Sequence, residues 1–258
     1  MLADLLIHPR LVRVEVGLNV VVGFKVVPDE TLIKVSSGKL DMNVAVKIST
    51  YDKNAIEEAV RIKESTGGKA IGVTVGNTDR KTIREALSMG VDEVVAISTQ
   101  YTDVLGTATA IAEEVRSMNP DLVLFGETTT DGSTSGLGPM VAEFWGVPVI
   151  TFAKSIKLDG KVIRAERSLT PVVEIVETEL PTVVTVTGEI NSPRIPTLRQ
   201  IMESSKKPVR TKEFKSSPMA SLDSVEPYLV QRKRIVLEGK TEEVVQKLIE
   251  ALRKEGAL

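Results

Sequence analysis

Residues Asp121–Pro148, DLVLFGETTTDGSTSGLGPMVAEFWGVP, carry the strongest fold signal in the sequence. They open with the short apolar run Leu122–Phe125, which predicts a buried strand. A loop rich in Gly, Ser and Thr follows, and then an apolar-periodic helix that ends at Gly146. A strand that leads through a loop into a helix is the repeating unit of α/β proteins, so this stretch predicts that class.

The loop at residues 127–138 is predicted to hold the phosphate of a nucleotide. The first backbone N–H groups of a helix have no partner within the helix, and the helix dipole adds about half a positive charge at that end. Glycines let a ligand approach the backbone closely, and hydroxyl groups can hydrogen-bond a phosphate. The residues with these properties are Thr128, Thr129, Thr130, Gly132, Ser133, Thr134, Ser135, Gly136 and Gly138. An ordinary loop that binds nothing has a similar composition, so composition alone leaves both interpretations open.

Familiar motifs for nucleotide binding or hydrolysis are missing from the sequence. The G-x-G-x-x-G fingerprint fails because Val141 stands at its sixth position, and no G-x-x-x-x-G-K-[ST] occurs. The near-match to a nucleophile elbow at residues 132–136 has Thr134 at its centre. The one histidine, His8, lies in an unrelated N-terminal segment, so a Ser-His-acid triad is not expected. We therefore predict no catalytic residue in this chain.

Composition argues against several classes of function. A net charge of −2 gives no general attraction to nucleic acid or to an anionic membrane. The absence of cysteine and the single histidine argue against disulfides, zinc, haem and iron–sulfur clusters, so no metal site is expected. No apolar run reaches the length of a membrane span. We expect a cytoplasmic protein with no nucleic-acid partner and no direct insertion into a membrane.

Strand and helix signals alternate throughout residues 18–150. They predict strands at Leu18–Lys25, Lys69–Gly76 and Glu93–Ser98, and helices that begin at Asp52, at Thr78 or Asp79, and at Asp103. The predicted fold is α/β, with a doubly wound, mostly parallel, Rossmann-like sheet, an added β-ribbon and a C-terminal extended arm. We expect three parts: an N-terminal extension at residues 1–17, a nucleotide-binding α/β domain at 18–205, and the arm at 206–258.

The same alternation predicts where a ligand would bind. Ligands of doubly wound sheets sit beyond the carboxyl ends of the strands. The strand ends at Gly23–Lys25, Ser49–Asp52 and Val75–Gly76 should therefore share one rim with the 127–138 loop.

The second half of the chain has a different period. Asp159-Gly160 is a hairpin signal between alternating runs, and a loop from Gly188 leads into a short helix from Thr197. Residues 206–227 are weakly periodic and predict an extended segment. A strand at Arg234–Leu237 and a helix at Thr241–Glu255 are expected after it. Such a pair cannot form a core alone, so it must pack on the main body or on another chain.

Several blocks of the sequence, in order, resemble the β subunit of electron transfer flavoproteins. They are GFKVVPD (23–29), YDKNAIEEAVRIKE (51–64), EALSMGVDEVV (85–95), PDLVLFGETTTDGSTSGLGPMVAE (120–143), ELPTVVTVT (179–187) and NSPRIPTLRQIMESSKKPV (191–209). The resemblance covers about residues 18–210. The chain departs from the family pattern at Ser49-Thr50, where Asn-Pro is usual, and near Thr128, where Gln is usual.

The resemblance implies a heterodimer whose α subunit carries FAD and whose β subunit binds AMP or, in electron-bifurcating members, a second FAD. It also implies dehydrogenase or quinone-reducing redox partners. The positions that match the family's nucleotide site are Gly23, Ser49, Thr50, Tyr51, Asp52, Val75, Glu127, Thr128, Thr129, Thr130, Asp131, Gly132, Ser133, Thr134, Ser135, Gly136, Leu137 and Gly138. The loop and helix at residues 191–202 resemble the family's recognition loop, with Leu198, Ile201 and Met202 as the residues expected to contact a partner.

Two other functions are compatible with a doubly wound sheet. A free-standing adenine-nucleotide sensor of the stress-protein type would leave residues 155–258 without a role. An ATP-using ligase or sulfurtransferase would need an SGGxDS-like loop, which the sequence lacks.

Overall fold

A computed structural model describes residues 17–36, 38–100, 102–228 and 232–258. Within these ranges the strands are β1 (Asn19–Gly23), β2 (Val26–Pro28), β3 (Lys34–Ser36), β4 (Lys39–Asp41), β5 (Val46–Ile48), β6 (Lys69–Val75), β7 (Glu93–Ser98), β8 (Leu122–Gly126), β9 (Val149–Asp159), β10 (Val162–Leu169), β11 (Val172–Glu179), β12 (Thr182–Val186) and β13 (Val209–Glu213). The helices are α1 (Thr50–Thr66), α2 (Arg80–Ser88), α3 (Val104–Met118), α4 (Leu137–Trp145), α5 (Leu198–Ser204) and α6 (Thr241–Lys254).

One nine-stranded sheet organises the chain, in the order β11-β10-β9-β12-β8-β1-β6-β7-β13. From β9 to β13 every neighbouring pair is parallel. The outer strands β10 and β11 add to this sheet in antiparallel fashion. The predicted α/β class, with a mostly parallel and Rossmann-like sheet, is confirmed.

Helices cover both faces of the sheet, and β1 shows how the sequence achieves this. Side chains alternate between the faces of a strand, so successive valines are buried in opposite directions. Val20 and Val22 pack in a cluster with Ile56 of α1, while Val21 packs in a second cluster with Ile111 of α3. A central parallel strand buried on both faces therefore reads as a continuous apolar run.

Most helix ends lie where their capping residues predict. Gly67 ends α1 in the left-handed conformation, with φ of 78°. Asp79 and Asp103 cap α2 and α3 through hydrogen bonds from the N–H groups of Thr82 and Gly106. The prediction that Asp52 caps α1 is wrong, because Ser49 is the N-cap residue and Asp52 lies in the first turn.

The hairpins follow the expected pattern. A turn at Gly160-Lys161 joins β9 to β10, one residue beyond the predicted centre, and β10 pairs with β11 along its whole length. The alternating pattern of residues 31–48 predicts a two-stranded ribbon around Ser36-Ser37-Gly38. In the structure β3 pairs with β4 there, and β5 pairs with β2 from the preceding segment. Ser37, at the predicted tip of the ribbon, lies outside the described residues.

The C-terminal region corrects two predictions. Part of the segment expected to be extended forms β13, which pairs in parallel with β7 and closes that edge of the sheet. Ion pairs of Arg210 with Glu93 and of Lys212 with Glu114 hold it there. The strand predicted at Arg234–Leu237 is not formed, since this segment finds no neighbouring strand in the described chain.

Helix α6 forms as predicted, but it has no buried residue. Its apolar side chains Val245 and Leu248 are each 46% exposed, so the described chain covers this face only in part. The division of the chain into three parts stays a prediction, and residues 1–16 of the predicted extension lie outside the described ranges. None of the helices in those ranges combines the length and the apolar character needed to cross a bilayer.

Gly138, in the first turn of α4, packs where a side chain does not fit. A Cβ atom there would collide with Cγ2 of Thr185, a buried residue of β12. The glycine therefore allows close packing of the helix on the sheet.

We predict that Gly138→Ala lowers the free energy of unfolding by about 1–3 kcal/mol, because it overpacks this contact. Urea unfolding monitored by circular dichroism measures the change. Gly136→Ala is the matched control, since the atoms nearest to a Cβ at Gly136 are 3.8 Å away and φ is −95°. Equal losses in the two variants would contradict the packing argument.

Candidate functional site

A cleft of about 600 Å³ opens at the carboxyl ends of β1, β6, β7 and β8. In doubly wound sheets this edge is where ligands are expected to bind. The cleft is lined by Gly23, Phe24, Lys25, Val26, Asp52, Val75, Gly76, Asn77, Thr99, Gln100, Thr102, Asp103, Val104, Thr107, Ile111, Phe125, Gly126, Glu127, Thr128, Thr129, Gly132, Thr134, Ser135, Leu137 and Gly138.

Most of the predicted site residues meet at this cleft. Those that line it are Gly23, Asp52, Val75, Glu127, Thr128, Thr129, Gly132, Thr134, Ser135, Leu137 and Gly138. The predicted residues outside the lining are Ser49, Thr50, Tyr51, Thr130, Asp131, Ser133 and Gly136. Of these, Ser49 is buried and accepts a hydrogen bond from the N–H of Thr130 at 3.3 Å, so it supports the loop from behind. Thr50 is exposed.

One wall of the cleft was missed by sequence reasoning. It consists of residues from the end of β7 to the second turn of α3, including Thr102, Thr107 and Ile111. The strand at Glu93–Ser98 was predicted, so its carboxyl end could have been placed on the same rim as the others. The signal was therefore present in the strand order, although no motif marked these residues.

Asp52 joins two strands at the floor of the cleft. Its carboxylate accepts hydrogen bonds from the N–H of Lys25 at 2.8 Å and from the N–H of Gly126 at 3.2 Å. A side chain on Gly126 would meet the same carboxylate at 2.7 Å, so only glycine fits there. Asp52 is 4% exposed, and this burial raises its pKa to about 7, although the two N–H groups oppose the shift. Asp52 therefore braces the ends of β1 and β8 instead of capping α1.

Where the 127–138 loop meets α4, the first amide groups of the helix have no acceptor among the described residues. Ser133 and Ser135 adopt the left-handed conformation, with φ of 48° and 51°. Gly136 is the N-cap residue of α4 and provides no side-chain cap, and the first helical bond runs from the N–H of Met140 to the carbonyl of Gly136. Among the described residues, nothing accepts a hydrogen bond from the N–H of Leu137 or Gly138. These donors can bind an anion.

Two hydroxyl groups of the loop are also unpaired. The Oγ1 atoms of Thr128 and Thr130 are buried and have no hydrogen-bond partner among the described residues. Buried polar atoms in folded proteins are almost always paired, so these atoms fit a site that a polar ligand completes.

The loop also carries a charged pair. The Nζ atom of Lys25 lies 2.7 Å from a carboxylate oxygen of Asp131, whose other oxygen accepts a hydrogen bond from Oγ1 of Thr129 at 2.8 Å. Burial favours the neutral acid, but hydrogen bonds from Lys25 and Thr129 outweigh it and lower the pKa of Asp131. Burial raises the pKa of Glu127, which also lies near Glu189.

The predicted partner-contact residues lie on a second, separate surface. Arg194 anchors the preceding loop to α1 through Glu57 at 2.8 Å and Glu64 at 2.7 Å. Thr197 and Gln200 form a capping box that begins α5. On this rigidly held helix Leu198 is 75% exposed and Met202 is 66% exposed. Ile201 is also exposed, so all three predicted residues face solvent on one short helix.

Fold and cleft together define a Rossmann-like α/β protein with an anion-accepting helix start at the carboxyl edge of its sheet. Residues 39–217 match the family model of the electron transfer flavoprotein domain. The chain is 31% identical over 255 residues to the electron transfer flavoprotein subunit beta of Thermoanaerobacterium thermosaccharolyticum, an alignment that covers 91% of this chain and 98% of the relative. The chain belongs to the electron transfer flavoprotein family, and it is a homologue of the β subunit.

The buried carboxyl group of Asp52 predicts a specific dependence of stability on pH. Its pKa is raised from 3.8 to about 7 in the folded chain, which therefore binds this proton more tightly than the unfolded chain. The contribution of Asp52 to the free energy of unfolding should fall as the pH rises from about 4 to about 7, by at most about 4 kcal/mol.

In Asp52→Asn this part of the pH dependence should be absent. Urea unfolding at several pH values measures the free energy of unfolding of the variant and of the wild type. The difference between them should shift in favour of the variant as the pH rises. Asp79→Asn is the control, because hydrogen bonds from Thr82 lower the pKa of Asp79 and no such drift is expected above pH 4. A constant difference for Asp52→Asn would show that Asp52 does not titrate in this range.

Proposed function

We propose that this chain is an electron transfer flavoprotein β subunit that binds an adenine nucleotide, AMP or FAD, in the cleft at the carboxyl edge of its sheet. With an α subunit that carries FAD it forms a heterodimer, which transfers electrons between dehydrogenases or quinone-reducing partners and downstream acceptors. The observation that carries this proposal is the open start of α4, where unpaired amides, the unpaired hydroxyl of Thr128 and a lysine line one cleft.

The residues of the cleft fit a nucleotide at both ends. The N–H groups of Leu137 and Gly138 and the hydroxyl of Thr128 would hold the phosphate. The apolar side chains of Val75 and Ile111 provide a surface for a planar base. Both AMP and FAD contain an adenylate group, so the same residues would serve either ligand.

The role of this chain is to bind and position. When bound, a flavin supplies the electron chemistry, and the protein supplies its orientation and local charge. The cleft contains Asp52, Asp103 and Glu127, but hydrogen bonds commit Asp52 and Asp103 to the fold and Glu127 is partly buried. We assign no general acid or base, and the chain acts as an electron-carrier subunit of the cytoplasm rather than as an enzyme.

Two surfaces with exposed apolar side chains support the proposal that this chain works within a protein complex. The exposed side chains of α5 form the surface proposed to contact a redox partner. The apolar face of α6 is proposed to pack on the α subunit as part of the 206–258 arm. A free-standing nucleotide sensor would use neither surface, which makes it the weaker alternative.

Purification after co-expression with the α subunit tests the proposal. We expect a yellow heterodimer, and release of its ligands by denaturation should give one FAD and one AMP per pair, or two FAD if the complex is of the bifurcating type. Chromatography with absorbance detection measures both. A colourless homodimer without bound adenine nucleotide would contradict the proposed function.

Leu198→Ala tests the partner surface separately. Truncating an exposed apolar anchor should slow electron exchange with a partner dehydrogenase by about tenfold or more, because such residues dominate the binding energy of protein interfaces. Stopped-flow absorbance of the flavin measures the rate, and flavin content should not change. Leu32→Ala, another exposed leucine outside α5, is the control. An unaltered rate in Leu198→Ala would remove the assignment of this surface.

A further inference from the structure

The charges that line the cleft are unfavourable for a phosphate ligand, because most of them are negative. Among the described residues that line it, Lys25 is the one cation, whereas Asp52, Asp103 and Glu127 are acidic. Asp131 lies directly beside them, bound to Lys25. A nucleotide phosphate therefore enters a cleft whose acidic groups outnumber its cation, and the state of that cation decides how strongly the phosphate is held.

Most of the acidic groups are already compensated. Asp103 accepts hydrogen bonds from the N–H groups of Gly106, Met219 and Ala220. Asp52 accepts the N–H groups of Lys25 and Gly126. Burial raises the pKa of Asp52 to about 7, which reduces its negative charge near neutral pH, and burial also raises the pKa of Glu127.

The pair of Lys25 and Asp131 is different, because its members can separate. The Lys25 side chain is 47% exposed and that of Asp131 is 31% exposed, so water can reach both. Asp131 also has a second partner, the hydroxyl of Thr129, which remains after the lysine leaves. Asp52 holds the backbone N–H of Lys25, whereas the lysine side chain is a flexible stem. Its Nζ atom lies 4.0 Å from the position that a Cβ atom would take at Gly132, so no side chain separates it from this part of the loop.

We propose that Lys25 is a phosphate-binding residue that pairs with Asp131 while no ligand is bound. Its ammonium group moves from this carboxylate to the phosphate when the nucleotide binds. This inference rests on the proposed function for the identity of the ligand. Asp131 is then the counter-ion of the empty site and not a ligand of the phosphate.

The exchange has a consequence for affinity. Breaking the ion pair opposes binding, and the new contact between ammonium and phosphate favours it, so only a ligand with a phosphate recovers the loss. A neutral nucleoside leaves the pair intact. The pair therefore selects for the charge of the ligand, while the cleft selects for its shape.

Three variants separate this exchange from a merely structural ion pair. They are Lys25→Gln, Asp131→Asn and the double variant, with AMP as the probe, adenosine as the neutral comparison, and isothermal titration of the nucleotide-stripped complex as the measurement. Lys25→Gln should bind AMP about tenfold more weakly, the loss typical of one charged hydrogen bond. Asp131→Asn should bind AMP about three- to tenfold more tightly, because Lys25 is released. The double variant should match Lys25→Gln.

The controls make each outcome decisive. Lys53→Gln removes a comparable surface ion pair, Lys53 with Glu85 at 2.6 Å, outside the cleft lining and should leave AMP binding unchanged. Thermal unfolding of every variant checks that the fold is kept. If Asp131→Asn weakens AMP binding as much as Lys25→Gln, or if adenosine responds as AMP does, the exchange is wrong and the pair only supports the loop. Failure of the wild-type complex to bind either AMP or FAD would instead contradict the proposed function as well.

Discussion

The buried carboxylate of Asp52 is the contact on which the geometry of the site depends. It reaches from the first turn of α1 to the N–H groups of Lys25 and Gly126, residues that are 27 and 74 positions away in the chain. Lys25 follows the end of β1, and Gly126 is the last residue of β8; both strands lie at the centre of the sheet. One acidic side chain thus fixes the positions at which two strands stop and the cleft begins. The requirement for glycine at position 126 follows from the same contact.

The 127–138 loop is attached to this frame at several points. Ser49, one turn before Asp52, accepts a hydrogen bond from the N–H of Thr130, and the ammonium group of Lys25 pairs with the carboxylate of Asp131. On the far side, Gly138 lets α4 pack tightly on Thr185 of β12. The amide groups at the start of α4 are therefore held in place before any ligand arrives. A site that is preorganised in this way loses less entropy on binding.

The sequence predicted the regular elements well because their signals are local. Asp79, Asp103 and Gly67 mark helix ends by chemistry that acts within a few residues. Asp52 was misassigned because an acidic residue before an apolar-periodic segment resembles an N-cap, while its true partners are distant in sequence. Strand β13 was missed because a charged segment becomes a strand only where β7 offers a free edge and Glu93 and Glu114 offer ion pairs. Arg234–Leu237 shows the reverse, a strand-like pattern that finds no strand to pair with among the described residues.

The site shows the same contrast between features set by local signals and features set by contacts between residues distant in sequence. The strand order placed the rim correctly, since it depends only on the alternation of strands and helices. The roles of individual residues did not follow from composition, because burial and pairing decide them: Gly138 packs on the sheet, Ser49 supports the loop from behind, and Asp131 neutralises Lys25. The family relationship and the geometry of the cleft then lead to the same proposal by separate routes.

A crystal structure of the complex grown with AMP would show where the phosphate binds. We expect phosphate oxygens about 2.7–3.2 Å from backbone N–H groups at the start of α4. A nucleotide bound elsewhere, with the 127–138 loop empty or filled by its own side chains, would contradict it.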